Sequence, residues 1–429
     1  MEVTLFNSTF TELKTYYDTI LNKDKSTYKS SNDEPTPIDC IVDMLNPIPE
    51  TFWQKKNLRI LDPCCGNGNF HIPTYFKLNT YHTTQHILEN QIYFNDVNES
   101  RLDNVKKVFG NNDFKLNITQ QDFLTGQFEG KFDLILANPP YAKLLPNGKR
   151  ASKNHNLIKD FLERTLSLLN EGGYLIYITP DNWMSFADRN LLIKRLTELQ
   201  FIHLDIHSAK KYFKKIGSSF TWYVIQNKPA DKPFKVTGIW KKKVYEDLVE
   251  SQVRNYIPLY YNKTIQSILS KTIDDKTCEK FKVLTSSDLH HYTKKSFIRS
   301  KSDSDFKYRL IHTPTQTCYA SRPHKFQEGW KVFISTTDKY GVFVDDCGMT
   351  QSIVFIRCNS KEEAQNFMNI LTHPLYQFIN NICRWGNFNN IRILQSFPQP
   401  KIQYGLNEEE IWNYFQISPE EQKFIKDYL

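Results

Sequence analysis

An α/β fold with a mainly parallel, seven-stranded sheet is expected for the first half of this chain, followed by a second, mixed α+β domain. Three observations predict it. Short β-branched and aromatic runs alternate with helix-like stretches as far as about residue 228. One of those runs passes into a glycine-bearing turn that should open a helix. A segment with two prolines and several charges, NKPADKPFK at 227–235, then interrupts the alternation. The domains are accordingly drawn at 1–230 and 231–429.

A short N-terminal helix precedes a polar loop, KDKSTYKSSNDEPTP at 23–37. The expected strands are NLRIL (57–61), QIYFN (91–95), FKLNIT (114–119), FDLILA (132–137), GYLIYIT (173–179), FIHLDIH (201–207) and FTWYVIQ (220–226). Between them the clearest helix is LIKDFLERTLSLLN, whose apolar residues recur at three and four. Beyond the boundary, WKVFIST and QSIVFIRC read as short strands, and a helix is expected from about Ser360 through Asn380.

Composition narrows the class. Of 429 residues, 40% are hydrophobic and 24% charged, which supplies material for packed cores and argues against disorder. The mean hydropathy is −0.54. The N-terminus lacks a basic stretch followed by an apolar run, and no apolar run is long enough to span a bilayer, so an intracellular, cytoplasmic location is expected. Eight cysteines without a CxxC pair read as reduced thiols, and no metal site is expected. The net charge of +8 is mild, but its distribution is uneven. Lys143, Lys149, Arg150 and Lys153 form one basic group, Lys210, Lys211, Lys214, Lys215 and Lys241 to Lys243 another. In a third, Lys294, Lys295, Arg299, Lys301, Lys307 and Arg309 interleave with Tyr292, Phe297, Phe306 and Tyr308. Such mixtures suit phosphate contact and base stacking, although any one of them can equally be solvated surface.

Chemistry concentrates at strand ends. NLRIL leads into Asp62-Pro63-Cys64-Cys65-Gly66-Asn67-Gly68-Asn69-Phe70, where Gly66 and Gly68 let backbone approach a ligand and the helix start offers N–H groups. A dinucleotide fingerprint would want a third glycine where His71 stands. Asp96, one residue past QIYFN, occupies the position of a carboxylate for ribose hydroxyls; the bland alternative is a strand-end cap. Asp122 and Phe123 follow the third strand, placed to accept from an adenine amino group and to pack on its ring. FDLILA then delivers Asn138-Pro139-Pro140-Tyr141. A nucleobase amine is a poor nucleophile because its lone pair is conjugated into the ring. The Asn138 oxygen and the Pro139 carbonyl could accept both amine hydrogens, Pro139 and Pro140 keep those acceptors rigid, and Tyr141 offers a stacking face to an extruded base.

DPCCGNGNF followed by NPPY resembles the amino-group DNA methyltransferases of restriction and modification systems. The loop precedes NPPY by about 70 residues and some 200 residues follow the first domain, an order similar to the gamma class, which methylates adenine N6. The resemblance implies the class I S-adenosylmethionine-dependent methyltransferase fold, S-adenosylmethionine as cofactor and duplex DNA as partner. A cognate restriction endonuclease, acting separately, is the second partner such a system admits. By resemblance, Thr36 and Pro37 match the upstream cofactor element, Asp62, Cys64, Gly66, Asn67 and Gly68 the cofactor loop, Asp96 the ribose carboxylate, and Asp122 and Phe123 the adenine contacts. A second aromatic holding the flipped base is expected at Phe213, with Phe220 the rival.

Residues 231–429 are then expected to be a target-recognition domain, because a pocket for one adenine cannot select its neighbours. Arg384, Trp385, Asn387 and Asn389 join Lys294, Lys295 and Arg299 as its candidate DNA contacts, since arginine pairs with guanine and asparagine with adenine in the major groove. Three readings stay open beside this one. NPPY also serves enzymes acting on RNA or on a protein glutamine, and the fold can persist in a non-catalytic DNA-binding specificity subunit. A C5-cytosine enzyme would need a nucleophilic cysteine, and Cys64 lies in the cofactor loop instead.

Overall fold

The computed structural model describes residues 3–24, 34–110, 113–141, 157–186, 191–213, 219–337, 339–386, 388–401 and 407–429. The chain divides into two units, Met1–Asp181 with Leu192–Val253, and Asn182–Leu191 with Arg254–Leu429.

All seven expected strands form: β1 (Ile60–Asp62), β2 (Ile92–Asn95), β3 (Asn117–Thr119), β4 (Phe132–Ala137), β5 (Leu169–Pro180), β6 (Leu199–Asp205) and β7 (Phe220–Pro229). Two more, β8 (Phe234–Trp240) and β9 (Lys243–Val249), extend the same sheet. Among the described residues its order is β3-β2-β1-β4-β5-β7-β6-β8-β9. β1 runs parallel to β2 and β4, and β4 to β5, while β7 is antiparallel to both β5 and β6. A reversed seventh strand between the fifth and sixth gives the class I methyltransferase topology that the resemblance implied.

Strands buried on both faces explain the near-continuous apolar runs. Leu134, Leu136, Ile176 and Ile178 point into one core with Leu13, Tyr17, Ile41, Met44, Ile72, Leu102 and Phe109 from helices Phe10–Thr19, Ile38–Leu45, His71–Leu78 and Glu99–Phe109. Towards the opposite face, the Tyr177 hydroxyl bonds to Thr165 of the helix Ile158–Leu168. A capping box starts the first helix, with Thr9 accepting from the Glu12 N–H and Glu12 from the Thr9 N–H.

The boundary drawn at 230 is corrected. β8 pairs in parallel with β6 through His203↔Lys235, Leu204↔Val236 and Asp205↔Thr237, so the hairpin to Val249 belongs to the first unit. The two prolines of NKPADKPFK flank a turn between strands of one sheet, which locally looks the same as an interdomain linker.

The second unit holds β10 (Ile298–Arg299), β11 (Tyr308–Thr313), β12 (Gln316–Ala320), β13 (Lys331–Ser335), β14 (Val342–Asp345), β15 (Gly348–Met349) and β16 (Ile353–Arg357). They form sheets ordered β10-β12-β11-β15 and β14-β13-β16, so the expected mixed α+β character is present. The helix expected over 360–380 is two helices, Lys361–Leu371 and Pro374–Ile382. Pro374 has no N–H to continue the first helix and so begins the second, whose Leu375 N–H is capped by His373 Nδ1 at 3.2 Å. Residues 182–186 join this unit through Ile257 N–H to the Met184 carbonyl at 2.9 Å and Asn390 Nδ2 to the Phe186 carbonyl at 2.9 Å.

Candidate active site

Because β1, β2 and β4 are parallel neighbours, their carboxyl ends bring Asp62, Asp96 and Asn138 to one edge of the sheet. Asn95 laces that edge together, its Nδ2 donating to the Pro63 carbonyl at 2.9 Å and the Gln121 carbonyl at 3.0 Å. After β1 the chain turns through Gly66 (φ +54°) and Gly68 (φ +87°). A Cβ on Gly68 would lie 2.8 Å from the Phe109 ring, so helix packing by itself requires a glycine here. Gly66 faces open space, a Cβ there meeting only the Arg101 guanidinium at 3.9 Å.

Asp96 fixes the loop: its carboxylate accepts from the Gly66 N–H at 2.9 Å and the Asn98 N–H at 2.8 Å. Each oxygen keeps a second lone pair, so capping and hydroxyl binding are compatible. Asp62 is 1% exposed, with Oδ1 accepting from the Cys64 N–H at 3.2 Å and Oδ2 without a partner among the described residues. Burial holds its carboxyl well above the ordinary carboxylate range, the Cys64 N–H opposing this and nearby Asp96 reinforcing it. Thr36 is 2% exposed and its Oγ1 also lacks a partner among the described residues. Two buried oxygens without a partner among the described residues fit a ligand that carries its own donors.

Segment 34–37 bridges the loop and the turn after β4. Its Thr36 carbonyl accepts from Asn69 Nδ2 at 2.9 Å, and its Glu34 carbonyl from Asn138 Nδ2 at 3.0 Å. Pro37 caps the helix Ile38–Leu45. Cys64 Sγ lies 3.6 Å from the Asn138 carbonyl, a direct contact between the loop and NPPY. With Nδ2 held by Glu34, the Asn138 side-chain oxygen is turned to the Tyr141 hydroxyl, which donates to it. The Tyr141 ring is half-buried, 6.3 Å from Phe220, which in turn lies 4.6 Å from Phe213. Of the two expected partners, Phe220 is the ring beside Tyr141, and Phe213 packs on Phe220.

Other expected residues are placed differently. Asn67 turns its amide inward, donating to Asn22 and accepting from Asn104 Nδ2 at 3.0 Å, so its side chain serves the loop's own structure. Asp122 is exposed at the rim, accepting from the Leu124 N–H. The Phe123 ring is 2% exposed and taken up by Phe128 and Phe161 at 5.7 and 5.4 Å. Glu34, Asn69 and Asn95 were not singled out from sequence; lone polar residues carry no signal until their partners are known.

In the second unit, Lys294, Lys295 and Arg299 are exposed as expected, with Arg299 paired to Asp303 at 3.1 Å and stacked 4.1 Å from Phe306. Asn389 is placed differently from the expected DNA contact: at 3% exposure its side chain is turned into the unit, Nδ2 donating to the Ser335 carbonyl and Oδ1 accepting from Asn380. Trp385 Nε1 is likewise committed to the Ile257 carbonyl at 2.7 Å. Arg384 is half-buried beside it. Lys143, Lys149, Arg150, Lys153 and Asn387 lie outside the described residues.

The Eco57I restriction-modification methylase family model matches residues 41–213, the span that holds β1 to β6, the glycine loop and NPPY. Over that span the chain is similar to Eco57I-type restriction-modification methylases. The type II methyltransferase M.VspI of Vibrio sp. (strain 343) is 28% identical over 183 residues, 39% of this chain and 42% of that one. The modification methylase CviBIII of Paramecium bursaria Chlorella virus NC1A is 26% identical over 241 residues, 52% and 56% respectively. These matches thus span about half of each relative's length or less. Two solved structures share the fold: the type IIL restriction-modification enzyme MmeI with DNA (TM-score 0.52, 10% identity, 88% of this chain, 67% of that one), and a nuclease-deletion mutant of the type ISP enzyme LlaGI with a DNA substrate mimic (TM-score 0.52, 12% identity, 97% and 56%). Of the residues described above, Asp62, Cys64, Gly66, Asp96, Asn138 and Tyr141 lie within the matched span, while Glu34, Thr36, Pro37 and Phe220 lie outside it.

Proposed function

We propose that this chain methylates N6 of a flipped adenine in duplex DNA with S-adenosylmethionine as donor. One observation carries the reading: Asn138 stands at the end of β4 with its amide nitrogen anchored on Glu34, its carbonyl against the cofactor loop at Cys64, and its side-chain oxygen aimed at a hydroxyl donor. An oxygen so oriented can accept from an entering amine, the Pro139 carbonyl can take the second hydrogen, and the nitrogen lone pair is thereby withdrawn from the ring. Tyr141 offers a face for the base, with Phe220 buried beside it. The donor would be held by the Gly66 turn, Thr36, Asp62 and Asp96, and it supplies an electrophilic methyl group. The proton that the amine gives up on methylation would leave past the Asn138 oxygen to water. The second unit, with exposed Lys294, Lys295 and Arg299, reads the flanking sequence, and a separately acting restriction endonuclease would cut the unmethylated site.

The test is incubation with methyl-labelled S-adenosylmethionine and duplex DNA, followed by digestion to nucleosides and mass spectrometry. Labelled N6-methyladenine is expected. Label on cytosine N4 would overturn the choice of base, and label in RNA or protein but not in DNA would overturn the substrate class.

A further inference from the structure

The hairpin that continues the sheet past its seventh strand ends in three consecutive exposed lysines, Lys241, Lys242 and Lys243. β8 and β9 pair without a register shift from Phe234↔Val249 to Trp240↔Lys243, so the connection is a two-residue turn at Lys241 and Lys242. Both occupy the left-handed region, at φ +46° and +67°. Hairpins of this kind favour Asn-Gly or Gly-Gly because side chains other than glycine and asparagine are strained there. Among the described residues, Gln416 is the one other non-glycine residue with positive φ. Retaining two lysines in that conformation costs stability, and strain of this kind marks positions where something other than the fold sets the residue. The hairpin is a firm support for them: the Tyr245 ring covers Gly238, where a Cβ would come 2.5 Å from its hydroxyl.

Topology fixes the edge of the sheet on which the lysine turn lies. β8 is parallel to β6, β6 and β5 are both antiparallel to β7, and β5 is parallel to β4. The end of β8 therefore lies on the same edge of the sheet as the end of β4, where Asn138 and Tyr141 stand. In the strand order, β8 is four positions from β4. At about 4.8 Å per strand the lysine turn sits roughly 19 Å along that edge from NPPY. Duplex DNA advances about 3.4 Å per base pair, so this distance corresponds to about five or six base pairs.

We propose that Lys241, Lys242 and Lys243 form a phosphate-binding knuckle that holds the backbone of duplex DNA five or six base pairs from the adenine delivered to Asn138. The contact is electrostatic and independent of sequence. It rests on the reading of the chain as a DNA methyltransferase and adds a surface of the methylase unit to the DNA contacts of the second unit.

The test uses the full chain and a variant carrying Lys241→Asn, Lys242→Gly and Lys243→Gln, which removes the charges while giving the turn the residues it favours. Binding to random-sequence duplex DNA is measured across a salt series, together with thermal unfolding and S-adenosylmethionine affinity. The variant is expected to unfold no earlier and to bind cofactor unchanged, while the exponent of the salt dependence falls by about 2 to 3. An unchanged exponent in the folded variant overturns the knuckle and leaves the proposed reaction standing. Absence of duplex binding by the unaltered chain overturns both.

Discussion

The Tyr141 hydroxyl donates its hydrogen bond to the side-chain oxygen of Asn138, the acceptor that the proposed reaction needs for the target amine. In the proposed reaction the target amine and the tyrosine hydroxyl would address the same oxygen, and an entering adenine would displace the hydroxyl while keeping the ring as a stacking face. Tyr141→Phe removes the competitor and retains the face, so it should methylate at or near the wild-type rate. Tyr141→Ala should lose about ten- to a hundredfold, since stacking on an aromatic is worth about 1–3 kcal/mol per base. Asn138→Ala should abolish transfer with cofactor affinity intact. Single-turnover rates and calorimetric titration with S-adenosylmethionine check the set; a Phe variant as slow as the Ala variant would assign the hydroxyl a chemical role.

Asp62 is expected to exchange stability for binding. A carboxyl held above its ordinary range by burial contributes full stability only below its unfolded pKa, and that contribution is lost as pH rises through the folded value. At neutral pH the unliganded chain therefore carries a penalty that a donor-bearing ligand at Oδ2 relieves. Asp62→Asn should unfold at higher denaturant concentration than wild type at pH 7 and more nearly alike at pH 4. It should bind S-adenosylmethionine about ten- to a hundredfold more weakly, the loss of a hydrogen bond to a charged group being about 1.5–3 kcal/mol. Equal affinity would remove Asp62 from the cofactor site.

Acid acts through histidines buried as neutral rings. His71, fully buried, donates from Nε2 to the Tyr93 carbonyl at 2.9 Å and meets the edge of Phe94. Burial pushes it down to about 4, the Tyr93 bond opposing, and His203 is pushed to about 4 as well, first by burial and then by Lys235. A depressed base keeps its full contribution above the unfolded value of about 6.5 and loses it as pH falls towards 4. At pH 5 each should cost about 2 kcal/mol relative to pH 7. Urea unfolding at the two pH values measures this, and His71→Gln should flatten the dependence.

Two residues expected to touch DNA should now separate. Asn389→Ala breaks three-way bonding among Ser335, Asn380 and its own amide, and should cost about 1–3 kcal/mol of stability without changing which sequence is methylated. Arg384→Ala should alter site preference more than the salt dependence of binding. Profiling methylated sites in a DNA library alongside thermal unfolding distinguishes them; a changed site preference in the Asn389 variant would reverse the assignment.

Residues 57–141 show how far the sequence reaches. Strand periodicity, the Gly66 turn, Asp96 one residue past β2 and NPPY directly after β4 could all be read locally, because each follows from backbone geometry within a few residues. With the strands known to be parallel, their ends had to converge. What the local pattern could not carry was pairing across long separations. Whether Gly68 serves a ligand or Phe109, whether Asn67 and Asn389 face solvent or Asn22 and Asn380, and which of Phe213 and Phe220 stands by Tyr141 depend on partners distant in the chain. The same holds for β8, whose Pro-rich approach resembles a linker until Lys235 is set opposite His203. Hydrogen bonds and ring contacts are short-ranged in space but not in sequence, so the chain by itself fixed the chemistry available at each strand end, and only the tertiary structure decided which side chains are left to perform it.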